Sequence, residues 1–142
     1  MIAFSKMAAA SDVEAYLRRL DRTFEKVAED TFLVALGLGQ PPAVLKLSSP
    51  VLVARVDVVD APKNQPGLEA KLFRRLLELN ATALVYVAFG IDDDRIVLDA
   101  SLELENLDLN ELDAVLTNLD LAILEQVPSL HDLVKGESAK RD

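Results

Sequence analysis

Four small groups of residues in this 142-residue sequence have the types that chemistry uses. Asp92, Asp93 and Asp94 form a carboxylate run, and Glu103 stands where the twelfth-position ligand of a calcium loop would fall if Asp92 were first. Such a loop also needs an oxygen ligand at its fifth position and glycine at its sixth, where this chain has Ile96 and Val97. The run therefore reads as an acidic hairpin turn. Gly37 and Gly39 give a Gly-x-Gly fragment after a strand-like run, but Pro41 and Pro42 follow in place of the helix N-terminus that a phosphate cradle requires. Ser129, His131 and Asp132 have the residue types of a nucleophilic triad, yet such close chain neighbours cannot line up as nucleophile, base and orienter. Ser129 and Asp132 instead suit the cap of a short final helical turn, with His131 at the surface. Asp99, Ser101, Glu103 and Glu105 alternate along one strand, where carboxylates without an apolar wall simply ionise. That row reads as a solvated face that also guards a sheet edge.

The composition narrows the chemistry further. The chain has no cysteine and one histidine, which excludes disulfides, thiolate nucleophiles and Cys-rich zinc sites. No metal, cofactor or catalytic residue is expected. At 51% hydrophobic the chain can bury a core unaided. The N-terminus has the interruption of Ser5 and Lys6 where a secretory signal needs an apolar run, and no window reaches a membrane span of about 20 apolar residues. A cytoplasmic protein without membrane insertion is expected.

The net charge of −9 is uneven: residues 1–91 carry 11 basic and 10 acidic side chains, and residues 92–142 carry 4 and 14. A surface of that sign repels phosphate backbones, so nucleic acid is not an expected partner. Arg18, Arg19, Arg22 and Lys26 cluster on the first helix, but Asp21, Glu25 and Glu29 are interleaved with them as on a solvated helical face.

The elements that position these residues follow from period and punctuation. Ser11 and Glu14 form a capping-box signature for a helix over Asp12 to Val27, with Val13, Tyr16, Leu17, Leu20, Phe24 and Val27 on one stripe. Strands are expected at Thr31–Leu36, Ala43–Leu47 and Val51–Val59, separated by a GLGQPP turn and a Ser-Ser-Pro corner. In the third, Leu52, Ala54, Val56 and Val58 face one way, while Val53, Arg55, Asp57 and Val59 face the other. A helix from Gly67 to Leu79 has a wide apolar arc of Leu68, Leu72, Leu76 and Leu79 broadened by Phe73 and Leu77. Ala83 to Ile91 is apolar on both faces and is expected to be a central strand, and Arg95 to Leu104 alternates. Asp108 and Glu111 open a last helix to Val127, ended or kinked by Pro128; Leu121 and Leu124 fall outside its core line. The expected fold is α+β, an antiparallel sheet of about five strands in the order α-β-β-β-α-β-β-α, with a single domain over residues 1–134 and a disordered tail over 135–142.

The succession of LLELN (Leu76–Asn80), FGID (Phe89–Asp92), IVLDASLEL (Ile96–Leu104) and LDLNELDAVL (Leu107–Leu116) resembles the Tir-chaperone family of type III secretion chaperones, and equally the related YbjN-type domains. The resemblance spans nearly the whole chain in element order and is specific in sequence from about Leu76 onward. It implies a small acidic homodimer that binds an extended segment of a partner protein without catalysis. Tyr16, Leu20 and Phe24 are then the implied partner contacts, and Phe73 and Leu77 the implied dimer contacts. The rival reading is a structural or regulatory adaptor that binds a folded partner in a stress or secretion-linked system.

Overall fold

In the computed structural model, which describes residues 6–139, the first helix stops well before its apolar spacing runs out. α1 spans Ala10–Arg19. Asp21 takes the left-handed conformation at φ 55, the Arg22 N–H bonds the Leu17 carbonyl, and the Asp21 N–H bonds the Arg18 carbonyl. These two bonds are a Schellman termination, with aspartate where glycine is usual. Phe24 and Val27 therefore leave the helix and enter a strand, β1 (Phe24–Ala28), instead of extending the helical stripe to Val27. The helix start also differs from the Ser11–Glu14 expectation. Asp12 accepts the Ala9 N–H at 2.8 Å and pairs with Lys6 at 3.2 Å. The Ala9 bond first, and then Lys6, lowers the Asp12 pKa below the usual carboxylate value.

The chain continues through β2 (Thr31–Val34), β3 (Ala43–Ser48), β4 (Val51–Asp60), α2 (Pro66–Thr82), β5 (Ala88–Asp92), β6 (Arg95–Glu103) and α3 (Leu109–Ala139). All strand pairs are antiparallel, in one six-stranded sheet of order β1-β2-β3-β4-β6-β5. The fold is α+β, as read from the sequence, with β1 as the additional strand.

The central position expected for Ala83–Ile91 belongs instead to β4, ten residues long and paired with both β3 and β6. α2 runs on to Thr82, and the Leu84 N–H still bonds Leu79. Tyr86 is at φ 67, so only Ala88–Asp92 remains extended, and β5 lies at the sheet edge. β6 is internal, so its acidic row guards no edge. Asp93 at φ 54 turns the chain between the Asp92–Arg95 pair, the acidic hairpin turn read from the run of three aspartates.

α3 begins with the reciprocal cap expected of Asp108 and Glu111, at 2.8 and 3.1 Å. It continues through Pro128 rather than ending there. The proline deprives the Leu124 carbonyl of its helical donor, and Leu124 is exposed, so water can take that group. Beyond the proline, Val127 and Leu130 are buried, which holds the second half of the helix down. Ser129, His131 and Asp132 thus lie inside a helix, with no separate final turn to cap. His131 is half-buried beside Val56, Val127 and Pro41. Residues 135–139 are helical, and the rest of the tail expected at 135–142 lies outside the described residues.

One core joins the elements. Val13 and Leu17 of α1, Leu72 and Leu76 of α2, and Leu112, Leu116 and Leu119 of α3 cluster with Phe32, Leu45, Leu52, Val56, Ile96 and Leu98 from one face of the sheet. The helices contribute to that face, and the opposite face carries none of the cluster.

Candidate protein-binding surfaces

The uncovered sheet face is built by strand alternation. Pairing registers place Glu25, Leu33, Val44, Arg55, Asp99 and Ala88 in one row across all six strands. Thr31, Lys46, Val53 and Ser101 form the next row. Between β3 and β4 these rows enclose a groove of about 440 Å³, floored by Val44 and Val53, with Lys46 and Arg55 beside them and Pro41 and Pro42 at one end.

Arg55 organises the face. Its guanidinium donates to Asp99 of β6 at 2.9 Å and to Asp92 of β5 at 2.6 Å, so one side chain ties the centre of the sheet to its edge. The hydrogen bond to Asp99 is the chief reason that its pKa rises above the ordinary guanidinium value. All three residues are partly exposed, and such pairs contribute at most about 1 kcal/mol each. Their main effect is to fix where the charges stand. Lys46 makes no ion pair among the described residues, and is the groove's uncompensated cation.

A second surface lies at the β5 edge. Leu77 on α2 is 69% exposed, and Val85 and Tyr86 in the following connection and Ile91 on β5 are exposed as well. These large apolar side chains on consecutive elements are surplus to the core. Phe73, the other residue implied in a dimer, is half-buried against the core.

The residues implied as partner contacts are not one helical stripe. Tyr16 and Leu20 lie on the margin of the first helix, both half-buried, and the Tyr16 hydroxyl donates to the Leu107 carbonyl at 3.1 Å. Phe24 sits on β1, packed edge-to-face on Phe32 with centroids 6.0 Å apart. The interleaved charges of this region pair partly across the fold. Arg18 bonds Glu14 within α1, whereas Arg22 reaches Asp120 of α3 at 2.8 Å.

Groups suited to catalysis would show carboxylates or imidazoles perturbed by burial in a cleft. The shifts at Asp12, Arg55 and Lys63 arise first from hydrogen-bonded partners, with burial opposing them. Asp57, Asp60, Asp92, Asp93 and Asp94 border one hollow, and all of them except Asp93 are paired with Arg95, Arg55 or Lys63. Among the described residues no group of three or more His, Asp or Glu is placed to hold a metal ion. Nor is any described helix long and apolar enough to cross a membrane.

The outer groove depends on a pairing that the strand pattern alone left unseen. Alternation puts Arg55 outward, but its contacts with Asp92 and Asp99 require the β4-β6-β5 order.

The chain matches both a protein-family model and solved structures. The family model CesT_Tir_1 matches residues 6–136. Among solved structures, a chain of the heterodimeric complex ExoU–SpcU from the type III secretion system of Pseudomonas aeruginosa superposes with a TM-score of 0.63 at 20% identity. The match covers 82% of this chain and 95% of that one. No curated protein matches the sequence.

Proposed function

Because the chain belongs to the CesT_Tir_1 family of type III secretion chaperones, we propose that it binds an extended segment of a partner protein in the cytoplasm, as a homodimer and without catalysis. The observation that carries this reading is the uncovered sheet face, with its apolar groove along β3 and β4. Alternate side chains of an extended segment would enter over Val44 and Val53, and an acidic side chain would meet Lys46. The exposed margins of Tyr16, Leu20 and Phe24 add contact area along the first helix and β1. The solved structural relative comes from a heterodimeric complex of two proteins, which supports a protein ligand on this fold.

The test is to recover the protein with its partner from the native host and digest the complex. A protected partner stretch of several tens of residues is expected, and Val53→Asp should reduce recovery by placing a carboxylate on the groove floor. Binding that disappears when the partner is unfolded would refute the reading in favour of an adaptor for a folded surface.

The homodimer is assigned to the β5 edge. Leu77, Val85, Tyr86 and Ile91 would each contribute roughly 1–2 kcal/mol on full burial, since each is already partly covered. Two-fold symmetry doubles that sum, bringing it to the scale of the association cost of about 4–15 kcal/mol. Sedimentation at micromolar protein should show a dimer for the wild type and a monomer for Leu77→Glu. A wild-type monomer would remove this assignment.

A further inference from the structure

Leu121 and Leu124 lie outside the core line of α3, and the fold does not absorb them. Leu124 is 72% exposed, and Leu38, in the connection between β2 and β3, is exposed completely. Between the connection and the helix lies a hollow of about 420 Å³, lined by Leu36, Leu38, Ile123 and Leu124, with the Arg22–Asp120 ion pair in its wall. α3 belongs to the helical layer, whereas the partner groove lies on the other face of the sheet.

On α3 the charge left unpaired beside these leucines has one sign. Glu125 stands four residues after Leu121 and next to Leu124, and neither it nor Asp132 makes an ion pair among the described residues. Asp120 is already neutralised by Arg22. From residue 109 to residue 135 the helix carries Glu111, Asp113, Asp120, Glu125 and Asp132 against the single cation Lys135. An occupant must therefore bring apolar side chains and positive charge together. The hollow is formed by a helix surface and a loop, and offers no sheet edge to satisfy an added strand, so a segment that satisfies its own main chain fits best.

We propose that this patch is a second protein-docking surface, one that takes a basic amphipathic helix from a partner other than the segment held on the sheet. A leucine-class side chain of that helix fills the hollow, and a Lys or Arg on the same helix faces Glu125. This inference does not depend on the sheet-face reading, because the two surfaces are on opposite layers.

The probe is a synthetic helix of about 16 residues, roughly four turns, with a leucine stripe and lysines on its flanks, compared with a copy in which the lysines are glutamates. Binding to the full chain is read by fluorescence anisotropy and mapped by amide chemical shifts. The lysine peptide should bind at least about tenfold more tightly than the glutamate peptide, and less tightly as salt is raised. Leu124→Ser should weaken it by a similar factor. Glu125→Lys should weaken the lysine peptide and strengthen the glutamate peptide. Both substitutions are at exposed positions, and an unchanged thermal unfolding midpoint will show that the fold is intact. Equal affinity for both peptides, indifference to both substitutions, or shifts mapping to Lys46 and Val53 would overturn the proposal. A change in oligomeric state with Leu124→Ser would overturn it too, by assigning the patch to a second copy of the chain.

Discussion

Replacing Phe32 by Ala is expected to lower the free energy of unfolding by about 3–5 kcal/mol, the cost of deleting a fully buried aromatic ring whose site collapses only in part. Phe32 sits on β2 with no exposed surface, in register with Leu45 of β3. Phe24 packs edge-to-face on its ring, and the Lys26 ammonium lies 5.9 Å from its centroid. Because β1 pairs with β2 alone among the described residues, this ring anchors the outermost strand to the core. Phe24→Ala should cost less, about 1–3 kcal/mol, since Phe24 is half-buried and shares the same cluster. The double variant should cost less than the sum, because each change removes the contact between the rings. Urea unfolding checks all three through the midpoint at constant m-value. A loss below about 1 kcal/mol for Phe32→Ala would contradict the burial of that ring. A neutral Phe24→Ala that nonetheless loses partner binding would place Phe24 on the docking surface rather than in the fold.

The same region shows what sequence period can and cannot reveal. Phe24 and Val27 continue the three- and four-residue spacing of Val13, Leu17 and Leu20, so the apolar pattern alone extends the helix through them. The break is made by main-chain geometry at Asp21, which supplies the left-handed turn without the usual glycine as a signal. The cap at Asp108 and Glu111 was legible because both halves are side-chain bonds written in the residue types. The two-sided apolar run of Ala83–Ile91 was ambiguous in another way. Leucines and aromatics on both faces describe a central strand, or equally a short edge strand whose surplus faces a partner. Of these residues Val87 and Phe89 are buried, while Val85, Tyr86 and Ile91 are exposed. The binding groove was half legible. Alternation along β4 sent Arg55 outward, but its carboxylate partners come from strands 37 and 44 residues away. Such long-range pairs carry no local signal. The exposure of Leu121 and Leu124 was foreshadowed by their misfit with the helical core line, and Leu38 gave no sign because a lone leucine in a loop has no period.

Asn80→Ala should be the most damaging substitution of a polar residue in the second half of the chain, lowering stability by about 2–3 kcal/mol. Asn80 stands in the last turn of α2, and its side-chain amide faces β5. It donates to the Phe89 carbonyl at 3.0 Å and accepts from the Phe89 N–H at 2.7 Å. Those are the main-chain groups that a further strand beside β5 would take, so one asparagine side chain stands in for a neighbouring strand at the sheet edge. This gives LLELN and FGID a physical reason to occur together: the first ends in the residue that secures the second. Alanine removes two hydrogen bonds and leaves a partly buried donor and acceptor unmatched, which is why the expected loss exceeds that of one bond. Asn80→Asp keeps the acceptor and loses the donor, so it should fall between wild type and alanine. The damage should be local at first, appearing as faster amide exchange at Phe89 before global unfolding. It should also weaken self-association, because β5 carries Ile91 and follows directly on Val85 and Tyr86 of the exposed apolar surface. An unchanged unfolding midpoint together with a still-protected Phe89 amide would show that β5 is held by its pairing with β6 alone.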